Sequence, residues 1–417
     1  MTPDDVEAVL QGRDGGVAGH QTPPADEQQR VKFLQDVLAD LEKAWGSRDP
    51  IIKTYAEKLA VGSRIEQWRL PLGESGILDF FIGVLAEPDT PDDLALQCLR
   101  LIGNSCADTG MTEQLSRRNF SLTMSLDENR DRVVKADAIP NIIHFASNTT
   151  LRPFSIAVLY NVMVDYDPAQ LQASNSKVSS KLIDLFSGPD LEDVQPSIDL
   201  ICKILNLVAT KEYETANADP KTPAVLLSLA TNPETEEPED FLSLVSVAQE
   251  YLTHAPLQTA FITAGSIPLF LSVFEAAHSS RFDPETLDDP ALSNRVSIVR
   301  KVLINALSDI TDNPAFAQTH PISSPVFTQL GDWLNTSNPA LQSAACLALG
   351  NLARDDDSTL SLIATYTIHT ALIKILADPS NTNALLIHSA LGFLKNLAPP
   401  ATSSASSSSG VLPVSGP

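Results

Sequence analysis

The chain has 417 residues, and its 28 lysines and arginines against 52 aspartates and glutamates give a formal net charge of −24. This acidity disfavours a nucleic-acid backbone or an anionic membrane surface as the main partner, and it favours proteins that carry basic patches. No apolar run approaches the ~20 residues that span a bilayer, so no stable membrane insertion is expected. The first residues also lack the layout of a secretion signal.

The two ends of the chain are predicted to be disordered. Residues 1–27 are rich in Gly, Asp, Gln and Pro without a sustained period, and residues 400–417 form a Ser-rich tract. Neither segment offers enough apolar surface to offset the entropy of ordering it. Residues 28–399 are expected to form the folded part.

One sequence pattern, which we call the recurring phrase, repeats through the folded part: an apolar stretch with helical spacing that ends near an asparagine. The six copies carry Asn104, Asn161, Asn206, Asn305, Asn351 and Asn396, at intervals of 57, 45, 99, 46 and 45 residues. A degenerate copy with Glu250 at this position divides the interval of 99 into 44 and 55. A period of about 40–47 residues with helical content is typical of armadillo and HEAT arrays.

The helical prediction has its own support. In the copy that begins at Pro339, the apolar residues recur at i, i+3, i+4, i+7, i+8 and i+11, and Asn338 supplies an N-cap. Shorter apolar helices lie between the copies, for example at 76–85 and 370–376. With a diverged N-terminal pair at 31–61, this predicts about eight three-helix armadillo units. They are expected to stack into a right-handed solenoid with a concave inner surface.

Two segments interrupt the repeat. Residues 110–125 have no place in the pattern and are predicted to be an inserted loop. Residues 281–294 are acidic, contain prolines and are predicted to be a second loop.

The sequence offers no sign of bond chemistry. Phosphate-binding, zinc-protease, nucleophile-elbow and dinucleotide motifs are absent, and the seven histidines are scattered. We therefore predict no catalytic residue, no metal site and no cofactor. The four cysteines, Cys98, Cys106, Cys202 and Cys346, lie in apolar helical patterns and are expected to be core thiols of a cytoplasmic protein.

The position of the repeated asparagine allows two different roles. At 100° per residue it lies on the rim of the buried helix face. There it can bond the backbone of a neighbouring repeat, or it can bond the backbone of a peptide lying in the groove.

Several repeats resemble the Smg GDP-dissociation stimulator family, armadillo proteins that act on Rho and Rap small GTPases. The similar phrases lie at 97–108, 159–168, 341–356 and 388–399, within a resemblance that spans residues 75–399. The resemblance implies an acidic concave groove that takes the polybasic, prenylated tail of a small GTPase. It also implies stimulated GDP release, chaperoning of the GTPase, or both.

The resemblance also implies which residues contact the partner. The six asparagines become candidates for the groove. The aspartates that follow those helices become candidates to meet lysines: Asp108, Asp165, Asp309, Asp312, Asp355 and Asp356. The alternative is a general armadillo scaffold that binds other proteins without affecting nucleotide exchange.

Overall fold

The computed structural model describes residues 1–12, 26–107, 120–188, 191–233, 235, 237–283, 287, 289–353 and 356–398. Throughout these ranges the regular structure is helical, without a β-strand. Contacts divide the chain into two compact units, Met1–Phe261 and Ile262–Pro417.

The first unit is built from short helices joined by tight turns, and its last helix continues two residues past the division. They are α1 (Pro3–Leu10), α2 (Glu27–Gly46), α3 (Ile51–Gly62), α4 (Arg69–Glu74), α5 (Ile77–Ala86), α6 (Asp92–Cys106), α7 (Phe120–Lys135), α8 (Ile139–His144), α9 (Arg152–Met163), α10 (Asp167–Asn175), α11 (Val178–Phe186), α12 (Leu191–Val194), α13 (Ile198–Ala209), α14 (Glu212–Asn217), α15 (Thr222–Ala230), α16 (Pro238–Leu252) and α17 (Ala255–Thr263).

The second unit repeats the same design. Its helices are α18 (Ile267–Ala277), α19 (Pro290–Asp312), α20 (Pro314–Thr319), α21 (Pro325–Leu334), α22 (Pro339–Leu352), α23 (Asp356–Ala364), α24 (Ile368–Ala377) and α25 (Ala384–Leu397).

The helices that carry the recurring phrase form the spine of each unit. We call these seven the ladder helices: α6, α9, α13, α16, α19, α22 and α25. In the first unit α3, α6, α9, α13 and α16 pack in succession, and in the second unit α19, α22 and α25 do the same. Each helix covers an apolar stripe of its neighbour, so no single repeat has to bury its own face. The predicted all-α armadillo architecture is confirmed.

Local sequence signals place the helix ends as expected. The Asn338 side chain accepts a hydrogen bond from the Ala340 backbone N–H, and Pro339 occupies the first turn of α22. The apolar stripe of α22 is buried at Ala344, Ala348 and Leu349. Burial of this stripe, rather than helix propensity, holds the helix in the array.

The disorder predicted for residues 1–27 is wrong for the start of the chain. Residues 3–10 form α1, whose Val6 and Leu10 are buried and which packs on α3. Thr2 and Asp5 form a reciprocal capping box at its N-terminus. The Trp68 indole N–H donates to the Leu10 carbonyl at 3.0 Å. These contacts supply the apolar burial that the composition of the segment as a whole did not indicate.

Both predicted loops are shorter than expected. Helix α7 begins at Phe120, so residues 120–125 are helical, while 110–119 lie outside the described residues. Helix α19 begins at Pro290, because the Asp289 carboxylate accepts from the Ala291 N–H and a proline suits the first turn. Residues 290–294 are therefore helix rather than loop.

No single described helix combines the length and apolar character of a membrane-spanning segment. Two pairs of consecutive helices have the required length and apolar character only when the two helices of a pair, which are sharply bent relative to each other, are treated as one segment.

Candidate partner-binding surface

Four of the six ladder asparagines bond the preceding helix of the array. The Nδ2 of Asn161 donates to the Gly103 carbonyl at 3.1 Å, and that of Asn396 donates to the Gly350 carbonyl at 2.9 Å. In the same way Asn104 reaches the Ala60 carbonyl at 3.0 Å, and Asn351 reaches the Ser308 carbonyl at 2.9 Å. We call these four residues, Asn104, Asn161, Asn351 and Asn396, the closed asparagines.

Small residues make these bonds geometrically possible. All four acceptor carbonyls belong to alanine, glycine or serine. A Cβ added at Gly103 would lie 2.9 Å from the Val158 Cγ2 on the next ladder helix, and one added at Gly350 would lie 3.4 Å from the Phe393 Cβ. Ladder helices thus approach closely enough for a short amide side chain to span the gap.

The remaining two asparagines are open. Asn206 on α13 and Asn305 on α19 are exposed, and neither side chain hydrogen-bonds to any part of the chain that the structure describes. The residue one position before Asn161, which corresponds to Gly103 and Gly350, is the bulky Tyr160. A large side chain there is consistent with the missing bond from Asn206.

Helix α16, the ladder helix without an asparagine, is fixed by two other side chains. One turn after Glu250, the His254 Nε2 lies within hydrogen-bond distance of the Ala209 carbonyl, and its Nδ1 lies 2.8 Å from the Thr215 hydroxyl. The Tyr251 hydroxyl donates to the buried Glu214 carboxylate at 3.2 Å. Neither His254 nor Tyr251 was predicted from the sequence to hold this helix. The sequence signal that could have indicated such a contact is His254, which lies one helical turn after Glu250, the residue that replaces the asparagine in this repeat.

Only some of the six aspartates that were predicted to contact the partner lie among the residues that the structure describes. Asp165, Asp309 and Asp312 are exposed. Burial and the neighbouring Asp312 carboxylate raise the pKa of Asp309. Asp108 and Asp355 lie outside the described residues, and of Asp356 only the backbone, at the start of α23, is described.

A second group of acids, absent from the sequence prediction, lies at the N-terminal ends of α13 and α16. Burial raises the pKa of Asp240, and the carboxylates of Asp199, Glu237 and Glu239 raise it further. Lys203 forms an ion pair with Asp199 at 2.7 Å. The remaining negative charge opposes ionisation of Asp240 and would attract a cation.

The cysteine thiols are sequestered in the core. All four cysteines are buried and unpaired. Burial raises the pKa of the Cys98 and Cys202 thiols, and it raises those of Cys106 and Cys346 to about 12. Among the described residues, no group of three or more His, Cys, Asp or Glu side chains is arranged to hold a metal ion.

The fold and this surface together define an armadillo-type repeat protein with exposed asparagines and carboxylates on its ladder helices. No family model matches the chain. In sequence it is similar to Rap1 GTPase-GDP dissociation stimulators 1-B and 1-A of Xenopus laevis, each 22% identical over 389 residues. The aligned region is 93% of this chain and 60% of each relative, so the chain spans less than two thirds of their length. The predicted resemblance to GDP-dissociation stimulators is confirmed.

Solved structures agree on the fold. The crystal structure of Uso1-2 superposes with a TM-score of 0.62 at 15% identity, covering 91% of this chain and 62% of that chain. The structure of SYS-1 superposes with a TM-score of 0.53 at 12% identity, covering 89% of this chain and 66% of that chain.

Proposed function

We propose that this protein binds small GTPases of the Rho/Rap type, takes their basic, prenylated C-terminal tail on its acidic surface, and stimulates GDP release or chaperones the GTPase. The observation that carries the proposal is the similarity over 93% of the chain to two proteins named as Rap1 GTPase-GDP dissociation stimulators. The proposed action is a regulator's, with no bond made or broken by this chain, and a cytoplasmic location belongs to the same proposal.

Charge supports a basic tail as the contacting segment. A net charge of −24 raises the local concentration of a polycationic segment and speeds its association. The carboxylates of Asp309 and Asp312 in one unit, and of Asp199, Glu239 and Asp240 in the other, lie on or beside ladder helices. Buried lipid methylenes would add about 0.8 kcal/mol each.

Release of labelled GDP from a small GTPase tests the proposal directly. We expect this protein to speed release from a Rap- or Rho-type GTPase by tenfold or more, since a partner that binds the nucleotide-free state better shifts the population towards it. The matched control is the same GTPase with its tail lysines replaced by glutamine, for which the acceleration should fall to near the spontaneous rate. Unchanged release, together with no binding of a prenylated basic-tail peptide, would contradict the proposal.

A general scaffold is the second candidate, because the fold is shared with structures that are named for other proteins. Binding of several unrelated proteins with no effect on GDP release would favour it.

Salt provides a separate test of the electrostatic part. The Debye length shrinks from about 10 Å at 0.1 M to about 3 Å at 1 M, so exposed charge pairs are screened. We expect the affinity for a basic tail peptide to fall at least about tenfold between 0.05 and 0.5 M NaCl, as measured by fluorescence anisotropy. An affinity that is the same at both salt concentrations would show that apolar contacts alone hold the tail.

A further inference from the structure

We propose that the second compact unit is acid-sensitive, because two of its histidines, His278 and His320, pack in the core only as neutral imidazoles. Acidification below about pH 6 would loosen this unit while the first unit keeps its fold. A partner that binds the folded second unit would then be released by acid. This property is independent of GTPase binding.

His278 follows the last residue of α18 and has one ring nitrogen bonded and the other enclosed. Its Nδ1 lies 2.8 Å from the Phe274 carbonyl oxygen, which can only accept, so the neutral ring carries its proton on Nδ1. The Nε2 is buried and has no hydrogen-bond partner in the part of the chain that the structure describes. The proton that charges the ring has to add to this Nε2. The charged ring would therefore bury a donor without an acceptor, which is costly.

A fixed cation lies beside this ring. The Arg300 guanidinium on α19 donates to the carbonyls of Ala277 and Phe282, each at 2.8 Å, on either side of His278 in the chain. Burial lowers the pKa of His278, the hydrogen bond to the Phe274 carbonyl opposes this, and the charge of Arg300 lowers the pKa further. The surroundings thus favour the neutral ring.

The acidic groups near His278 are engaged elsewhere. Glu275, one turn earlier on α18, accepts a hydrogen bond from the Trp333 indole N–H on α21 at 2.6 Å. Asp283, which follows in the chain, interacts with Arg300. Neither carboxylate contributes to the pKa of His278. Its charged form therefore has no counter-ion among these groups.

His320 has a similar environment at the end of α20. Only 8% of its surface is exposed, and its ring lies 5.1 Å from the Phe316 ring. Its Nε2 is also buried without a hydrogen-bond partner among the described residues. Burial lowers the pKa of His320, and no charged group on α19, which packs against α20, contributes to the shift.

The described histidines of the first unit, His144 and His254, tolerate a proton. His254 is bonded at both nitrogens, by the Ala209 carbonyl and the Thr215 hydroxyl. Because a hydroxyl can accept as well as donate, a protonated ring keeps both hydrogen bonds. His144 is exposed to water. Of these four histidines, the acid-sensitive pair therefore belongs to the second unit.

The direction of the pH effect follows from these protonation states. In the unfolded chain both rings have a pKa near 6.5, whereas in the folded unit the pKa of each ring is lowered. As pH falls below 6.5, the unfolded chain takes up protons that the folded unit does not, so the free energy of unfolding falls. Burial and the Asp312 charge raise the pKa of Asp309 in the same unit, so its protonation acts in the opposite direction and cannot imitate the loss.

The experiment follows the two units separately in the whole chain, labelled with fluorotryptophan and unfolded in urea. Trp333 reports on the second unit, where its ring lies 5.0 Å from the Phe274 ring, and the buried Trp68 reports on the first. Between pH 7.5 and 5.5 we expect the urea midpoint of the Trp333 fluorine signal to fall by at least about 0.5 M. The midpoint of the Trp68 signal should fall by less than half as much. Equal shifts of both signals would overturn the proposal.

A matched pair of variants assigns the effect to the two rings. His278→Gln/His320→Gln removes both titrating groups, so the midpoint of the Trp333 signal should no longer depend on pH over this range. His388→Gln is the control, because His388 is an exposed histidine on α25 of the same unit, and it should keep the full dependence. A double variant as acid-sensitive as wild type would contradict the proposal.

NMR of the histidine ring carbons in wild type gives a second answer that does not require the variant to fold. The signals of His278 and His320 should stay in their neutral form at pH 6, where half or more of an ordinary imidazole is protonated. Two rings that titrate near pH 6.5 in the folded protein would overturn the proposal whatever the variants do.

Discussion

Replacing Tyr251 with alanine should lower the free energy of unfolding by about 4–5 kcal/mol. The side chain is completely buried in α16, and truncating a large buried aromatic leaves a cavity that its surroundings fill only in part. The loss also removes the hydroxyl that donates to Glu214, whose carboxylate is itself fully buried. Urea unfolding followed by circular dichroism measures the change.

Tyr251→Phe separates the ring from its hydroxyl. Phenylalanine keeps the packing and leaves the Glu214 carboxylate with the Ser174 hydroxyl as its other donor, so the cost should be about 1–2 kcal/mol. If Tyr251→Phe lowers the free energy of unfolding as much as Tyr251→Ala does, the hydrogen bond rather than the ring fixes α16. If Tyr251→Ala lowers it by less than about 2 kcal/mol, Tyr251 does not anchor α16.

The repeat architecture could be predicted from the sequence because it depends on periodic burial. In α22 the apolar period, Asn338 and Pro339 each indicate the same helix, and the structure has that helix. Because the capping residues and the apolar spacing indicate the same helix that packing requires, such a helix can be predicted from a single sequence. Helix α1 was missed because its buried residues, Pro3, Val6 and Leu10, are few and lie in a segment of otherwise polar composition.

The division of the asparagines into closed and open could not be predicted in the same way. Its cause is the distance in space between two helices, whose bonded residues are 43 to 58 positions apart in the chain, and the hydrophobic period does not encode that distance. The glycines before Asn104 and Asn351 do mark the close approaches, and Tyr160 interrupts the pattern. The clustering of Asp199 with Asp240 likewise depends on which helices are neighbours.

Gly103→Val should lower the free energy of unfolding by about 3 kcal/mol, because α6 and α9 meet at this glycine. Its added Cβ would already lie 2.9 Å from the Val158 Cγ2, and Val158 is buried and branched at Cβ, so it has little freedom to move. Overpacking of this kind typically costs 1–3 kcal/mol. Separating the two helices would also stretch the bond from Asn161 to the Gly103 carbonyl, now 3.1 Å. Urea unfolding measures the loss.

Gly83→Val is the matched control in the same unit. Gly83 is an exposed helical glycine in α5, and a Cβ added there meets nothing within 4 Å. Since valine forms helix slightly better than glycine, the control should be neutral or slightly stabilising. Equal losses at both positions would show that valine acts through the helix itself. A loss confined to Gly103 would show that close approach of the ladder helices stabilises the array.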